Sequence, residues 1–283
     1  MSSGSVDLVI GDPPYFKTVG EKWDFKWRTD ADYLDWSESW INKVSRVSKP
    51  TATFCLFGYF RTLCLLVPVV ERAGFELRQQ IIINKGIRSV SGRKTSTYKM
   101  FPTTTESILI FIKDNKPDVR EFLKKRQADK GLTAKDINER LGVDPFGGGM
   151  WSLYTGDNIL AQLPTEESWQ KLQDILGFDI DFKEISHVFN KIPGLTDVWD
   201  DIDFYKEKRV HRAQKPIKLI DRLVTAYSNE GDVVLDPFSG SGTSAVVCRS
   251  LGRHFICFEN DERYHEISMD RLRTAFLTRT ETL

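Results

Sequence analysis

The sequence predicts an α/β protein: a Rossmann-like, doubly wound, mostly parallel sheet carrying a helical insertion. Two observations lead there. Strand-like runs at 6–11, 53–58, 77–84, 233–235 and 254–258 alternate with segments of helical periodicity, and such alternation implies parallel strands joined by right-handed crossovers. One run, Val233-Val234-Leu235, leads through Asp236-Pro237-Phe238-Ser239-Gly240-Ser241-Gly242-Thr243 into a helical segment from Ala245 to Leu251. Strand, glycine loop and helix in that order mark one half of a doubly wound fold.

A chain of 283 residues can bury a full core, either as one large domain or as a domain with a sizeable insertion, and the second is preferred. Hydrophobic residues make up 40% and charged residues 28%, and no apolar run approaches the ~20 residues that span a bilayer. Met1 to Ser5 lack the basic and apolar stretches of a secretory signal, so a cytoplasmic location without membrane association is expected. Cys55, Cys64, Cys248 and Cys257 sit in apolar sequence without a CxxC pair; buried free thiols and no metal are expected. Forty basic against forty acidic residues leave no net charge, so any surface for a polyanion must be local.

Taken in order, the strand at 6–11 runs into Asp12-Pro13-Pro14-Tyr15, a carboxylate followed by two rigid residues and a ring. Residues 17–28, with Trp23, Phe25 and Trp27, form a loop that is either beside the site or packed on the surface. Thr29 or Asp30 caps a helix whose Tyr33, Trp36, Trp40, Val44 and Val47 recur at helical spacing and are expected in the core. A strand at 53–58, a helix at 61–73 and a strand at 77–84 follow. Lys85, Arg88, Arg93, Lys94 and Lys99 lie in a stretch with no acid after Glu76; its position at strand ends favours phosphate contact over a merely solvated loop.

From Asp114 the pattern changes to a charged helix at 119–130, then a short helix capped by Thr133, bearing Ile137 and Leu141 and stopped by Gly142. That second helix is either the first of a helix-turn-helix or an ordinary capped helix. Gly147 to Gly149 mark a flexible junction, and Thr165 opens a helix containing Trp169, Leu172 and Ile175. Near the end, Gly240 and Gly242 permit a tight loop at a helix N-terminus, which suits a nucleotide-like cofactor or simply close packing. Glu259, with Asn260 beside it, closes the strand at 254–258, where an acidic group accepts hydrogen bonds from ribose hydroxyls. Residues 264–276 form an amphipathic helix covering the sheet.

The pairing of DPPY (Asp12, Pro13, Pro14, Tyr15) with DPFSGSGT (236–243) resembles the S-adenosylmethionine-dependent amino-methyltransferases that act on exocyclic nitrogens of DNA bases. Because DPPY comes first, the chain is similar to their circularly permuted β class, which implies the class I methyltransferase fold. DPPY is most like the adenine-N6 members, with cytosine-N4 as the alternative. Thr105-Glu106 before 107–112 resembles the family's strand hairpin, with Glu106 structural, and His211-Arg212-Ala213-Gln214-Lys215-Pro216 resembles its HxxQKP segment. Val198-Trp199-Asp200 is family-like as well. The permuted order implies a first core half at 1–113, a target-recognition insertion at 114–203 and a cofactor half at 204–283. The segment that commonly precedes DPPY, carrying an acidic residue for the adenine side of the cofactor, is here reduced to Met1–Ser5.

The resemblance implies Asp236 to Thr243, Glu259 and Asn260 around the cofactor, and Lys215 either at its methionine carboxylate or as part of a capped helix. Asp12 and the Pro13 carbonyl would accept the two amino hydrogens of the target base and point its lone pair at the methyl donor. The base must be flipped out of the duplex, with Tyr15 available for stacking, Phe16 and Gly58 completing the pocket, and Phe57 either doing so or packing in the core. Double-stranded DNA is the implied partner; a homodimer and a cognate restriction endonuclease are compatible with it. A phosphate-loop NTPase is disfavoured because no lysine precedes Thr243. A non-catalytic DNA-binding regulator built on 132–143 would leave the complete DPPY motif without a use.

Overall fold

The computed structural model describes residues 1–16, 26–90, 99, 101–143, 149–157, 159–207, 210 and 214–280. In chain order the elements are β1 (Val6–Gly11), α1 (Asp30–Val47), β2 (Ser48–Gly58), α2 (Phe60–Arg72), β3 (Phe75–Asn84), β4 (Thr105–Lys113), α3 (Lys116–Lys130), α4 (Ala134–Leu141), α5 (Gly149–Thr155), α6 (Glu166–Leu176), β5 (Val198–Trp199), α7 (Ile217–Tyr227), β6 (Val233–Asp236), α8 (Thr243–Ser250), β7 (His254–Cys257) and α9 (Glu262–Thr280). They form two compact units, Met1–Lys113 with Val188–Leu283, and Asp114–His187.

The first unit holds a seven-stranded sheet in the order β5-β3-β4-β2-β1-β6-β7. Its strands alternate between two faces, as a period of two requires. Leu8, Ile10, Cys55, Phe57, Ile108 and Ile110 face α7 and α8, while Val9, Phe54, Leu56, Leu109 and Phe111 face α1 and α2. Both faces are covered, so the central strands are apolar throughout and not alternating in sequence. Pairing is parallel except at β4, which lies antiparallel between β2 and β3 and forms with β3 the expected hairpin. This is the doubly wound, mostly parallel class I methyltransferase fold.

Several boundaries differ from the sequence expectation, and three change the reading. β2 begins at Ser48, not Thr53, because the polar stretch containing Pro50 pairs with β1 across an irregularity between Val6 and Leu8. The inserted unit ends at His187, not near Asp203: Val198–Trp199 adds a strand beside β3, and Trp199, Ile202 and Phe204 join the core under the α7 face. Gly149, expected in a junction, opens α5, while 144–148, including the turn a helix-turn-helix needs, lie outside the described residues. Within Asp114–His187, Thr133 and Asp136 form a capping box and Gly142 ends α4 in the left-handed region at φ 76°. Leu123, Ile137, Trp151, Trp169 and Leu172 make this unit's own core. Of the four thiols, Cys55 and Cys248 are buried and Cys257 half-buried; Cys64 is exposed, against expectation, because it lies on the outer side of α2.

The crossover from β1 through α1 packs on one face and that from β6 through α8 on the other, in opposite directions along the sheet. β1 and β6 therefore flank the switch point, paired through Leu8–Val234 and Val9–Leu235. Their carboxyl ends release the Asp12 and Asp236 loops side by side, where open sheets bind ligands.

Candidate active site

Both loops open onto one cavity of about 620 Å³. Asp12, Pro13, Pro14 and Tyr15 line it from β1; Asp236, Pro237, Phe238, Ser239, Gly240, Ser241 and Thr243 from β6; Glu259 and Asn260 from the end of β7. Gly242 does not line it. It is the residue before α8, at φ 75°, and a side chain there would overlap the Ser268 hydroxyl of α9. From α9 the Arg271 guanidinium donates to the Ser241 carbonyl at 2.6 Å, the Ser241 hydroxyl at 2.9 Å and the Thr243 hydroxyl at 3.1 Å. The last helix thus straps the glycine loop in place.

The DPPY loop is held at three points. Tyr33 of α1 donates its hydroxyl to the Pro14 carbonyl at 2.9 Å. The Tyr15 hydroxyl lies 2.5 Å from Asp12 Oδ1 and also contacts Glu106 Oε1 at the start of β4. Lys215 Nζ reaches Glu106 Oε1 at 2.7 Å, Asp12 Oδ2 at 3.0 Å and the Tyr15 oxygen at 3.0 Å. Lys85 Nζ pairs with the other Glu106 oxygen at 2.9 Å. Glu106 itself is only 2% exposed. One hydroxyl proton cannot satisfy two carboxylates, so the two ammonium groups supply the remaining donors.

Burial sets the electrostatics. Desolvation raises the Asp12 carboxyl above the usual range; the Lys215 ammonium opposes this and the Glu106 charge adds to it. Burial also disfavours a charged Glu106, but Lys215 and Lys85 outweigh it and hold the group at about 2. Lys215 loses hydration, yet Asp12 and Glu106 lift it above the ordinary lysine range. Desolvation pushes Asp236 up to about 7, against hydrogen bonds from the Ser244 hydroxyl and the Phe238 N–H and with help from the charges of Asp12 and Glu259. Asp12, Asp236, Glu259 and Asp261 line the cavity against Lys26 and Lys215, an excess of acidic over basic side chains that suits a cationic ligand.

The raised Asp236 makes a testable statement about stability. A carboxyl at about 7 when folded and ~3.9 when unfolded binds extra protons in the native state. The stability it contributes is fully present below pH ~4 and is lost as pH rises to about 7, on the order of 4 kcal/mol in all. Asp236→Asn, whose oxygen still accepts from the Phe238 N–H, is expected to be more stable than wild type at pH 8 and to flatten this slope. Urea melts at pH 5 and pH 8 measure both; equal pH dependence in the two proteins would contradict the buried charge.

The sequence profile of the DNA methylase family, which spans N6 and N4 enzymes, matches residues 6–270. The chain belongs to that family. Its DPPY-first order makes this methylase a DNA amino-methyltransferase of the β class, as the motifs implied. Type II methyltransferase M.HpaI of Haemophilus parainfluenzae is 26% identical, the alignment covering 98% of this chain and 71% of that protein. DNA adenine methyltransferase YhdJ of Escherichia coli is 27% identical over 96% of this chain and 77% of its own. The crystal structure of the M1.HpyAVI–SAM complex superposes with a TM-score of 0.55 at 20% identity, covering 95% of this chain and 89% of that one, and shares the fold.

Other expected residues take different places in the methylase. Lys85 is not presented to a phosphate: its ammonium is turned onto Glu106 and lies over the rings of Tyr59 and Phe204. Arg88 and Lys99 are exposed, while Arg93 and Lys94 lie outside the described residues. Lys215 lines the cavity, but its ammonium is engaged with the DPPY loop. Phe57 lines the cavity; Phe16 does not, being stacked on Tyr33 with ring centroids 5.4 Å apart and left-handed at φ 44°. Trp36 and Trp40, expected in the core, border the cavity and pack on Phe238 at 5.8 and 5.0 Å. They flank the fully buried stripe of Tyr33, Ser37, Ile41 and Val44, where α1 turns from the sheet to the loop. His211 to Ala213 lie outside the described residues.

Among the described residues no group of His, Cys, Asp or Glu could hold a metal ion, and no helix is long and apolar enough to cross a membrane.

Proposed function

We propose that this methylase transfers a methyl group from S-adenosylmethionine to the exocyclic N6 of a flipped adenine in double-stranded DNA. The observation that carries the reading is the convergence of DPPY and the glycine loop on one cavity from paired strands. The cofactor supplies an electrophilic methyl group on a sulfonium. Its cationic character suits the acidic lining, and Ser239 to Thr243 at the α8 N-terminus, Phe238, Asp236, Glu259 and Asn260 would hold it. Glu259 is prepared for a ribose: its Oε1 accepts from the backbone N–H of Asn260 and Asp261 at 2.9 and 2.8 Å, and Oε2 has no hydrogen-bond partner among the described residues. Glu259→Ala is expected to weaken cofactor affinity by about 1–3 kcal/mol; an unchanged Kd in calorimetry would remove Glu259 from the site.

An exocyclic amine is a poor nucleophile because its lone pair is delocalised into the ring. Asp12 Oδ accepts one amino hydrogen and the Pro13 carbonyl the other, which favours a tetrahedral nitrogen with its lone pair aimed into the cavity. Pro13 and Pro14 keep the two acceptors at fixed spacing, and Tyr15 provides the edge of the base pocket. Exposed Arg88 and Lys99, with Arg93 and Lys94, contact backbone phosphates in this reading. The Asp114–His187 unit reads base edges. The same reading includes a cytoplasmic location, a homodimer and a cognate restriction endonuclease.

The test is direct: incubate the protein with methyl-tritiated S-adenosylmethionine and mixed-sequence duplex DNA, digest to nucleosides and identify the labelled one. Label on N6-methyladenine is expected. Label on N4-methylcytosine would keep the chemistry and change the base, and label on neither with cofactor bound would favour a DNA-binding regulator.

A further inference from the structure

The cluster of Glu106, Lys215 and Lys85 is larger than the proposed chemistry requires. Asp12 and the Pro13 carbonyl suffice to receive the amine, yet two ammonium groups and a second carboxylate are buried against them. The charges alternate in space: Asp12, Lys215, Glu106, Lys85, each within 3.0 Å of the next. They come from four separate places, the end of β1, the segment before α7, the start of β4 and the end of β3. An unpaired buried charge is costly, and a chain of alternating signs is a way to keep each member ionised. Lys215 Nζ also lies 5.2 and 5.1 Å from the ring centroids of Tyr15 and Phe57.

We propose that Lys215 is the counter-ion that keeps the Asp12 carboxylate in its hydrogen-bond-accepting form, and that Glu106, itself anchored by Lys85, is the positioning residue that fixes Lys215 there. The proposal rests on the reading of Asp12 as the acceptor of the target amine. A protonated Asp12 would present a donor to the amine and lose the function that reading assigns to it. The groups facing Asp12 act in opposite directions: burial and the Glu106 charge oppose its ionisation, while the Lys215 ammonium and the Tyr15 hydroxyl favour it. The Tyr15 hydroxyl, lifted well above its ordinary range by burial and by both carboxylates, stays protonated and donates. Glu106 therefore does two things at once, holding the helpful cation and exerting a smaller direct repulsion.

Opposite signs give the test. Single-turnover transfer to plasmid DNA is followed from pH 5 to pH 9 at saturating tritiated S-adenosylmethionine, with cofactor Kd measured by calorimetry. Lys215→Met is expected to move the acid limb of the rate upward by about one pH unit or more, roughly a tenfold loss on the limb. Lys215→Arg, which keeps the charge, restores most of it. Adding Glu106→Gln to Lys215→Met moves the limb back down, since the repelling carboxylate is gone; general disruption of folding would lower the rate further without returning the limb. A Lys215→Met profile that superimposes on wild type overturns the proposal. So does a saturated rate and limb that are unchanged while cofactor Kd weakens about thirtyfold, which would make Lys215 a ligand of the cofactor carboxylate alone. A double-variant limb at or above that of Lys215→Met overturns the role of Glu106. Asp12→Asn is measured alongside: if it transfers methyl groups normally, the acceptor reading itself fails, whereas an inactive Asp12→Asn with an unmoved Lys215→Met limb rejects only the counter-ion.

Discussion

Asp12→Ala is expected to reduce methyl transfer by ~10²–10³-fold or more while leaving cofactor affinity within about threefold. The asymmetry follows from the two strand ends. Asp12 belongs to the loop after β1, and its partners are Tyr15 and Lys215; the glycine loop is braced independently by Arg271, and Ser244 and the Phe238 N–H bind Asp236, not Asp12. Lys215 keeps Glu106 as counter-charge in the variant, so no buried ammonium is left alone. Tritium transfer at saturating cofactor and DNA, together with a calorimetric Kd, separates the two effects. Near-normal turnover would refute the assignment of Asp12; equal loss of binding and rate would mean the loops are one structural unit.

The second large effect is expected at Gly242. Gly242→Val should weaken cofactor binding more than a hundredfold, above about 2.7 kcal/mol. Two costs combine. The backbone at φ 75° is the left-handed conformation, unfavourable for a β-branched residue. A Cβ at this position also overlaps the Ser268 hydroxyl and approaches the Ser268 Cα to 3.3 Å, so α9 cannot yield by rotating a side chain alone. The loop must move, and with it Ser239 to Ser241 and the strap from Arg271. Pairing the substitution with Ser268→Gly should recover part of the loss, because it removes the overlap and leaves the backbone strain. Calorimetry on both variants measures this; wild-type affinity in Gly242→Val would show that the turn is not part of the cofactor site.

Much of this was legible before any coordinate. DPPY and DPFSGSGT are local: each is a strand end followed by its loop, and the family resemblance each carries rests on neighbours in sequence. The strand alternation gave the sheet, since β1 and β6 announce themselves by β-branched runs and β7 by a short apolar one. What was hidden is tertiary. Glu106 reads as an ordinary polar residue opening a strand, and nothing in Thr105-Glu106-Ser107 says that Lys215, 109 positions away, will meet it. Lys85 carried the opposite expectation, because a lysine in a basic loop usually faces water; the uncompensated carboxylate that turns it inward is contributed by another strand. Trp36 and Trp40 fit a core stripe by spacing, and only the path of α1 past Phe238 places them at the cavity wall. The compact inserted unit ends at His187 and not at 203 for a similar reason: the strand Val198–Trp199 is too brief to register as periodicity, and its partner β3 lies more than a hundred residues earlier.

The β1–β6 seam of the sheet joins positions far apart in the sequence: the Asp7 carboxylate accepts the Val233 N–H across 226 residues. During synthesis β1 emerges well before β6 and waits, one edge bare, until β6 has been delivered. Such a long-range closure is slow, and an uncovered strand edge is a template for pairing with other chains. A nascent or truncated product therefore carries an aggregation hazard. The delay has a second side. A nascent chain that stops short of β6 carries the DPPY loop without the glycine loop, so the two meet on one cavity only once β6 has paired with β1.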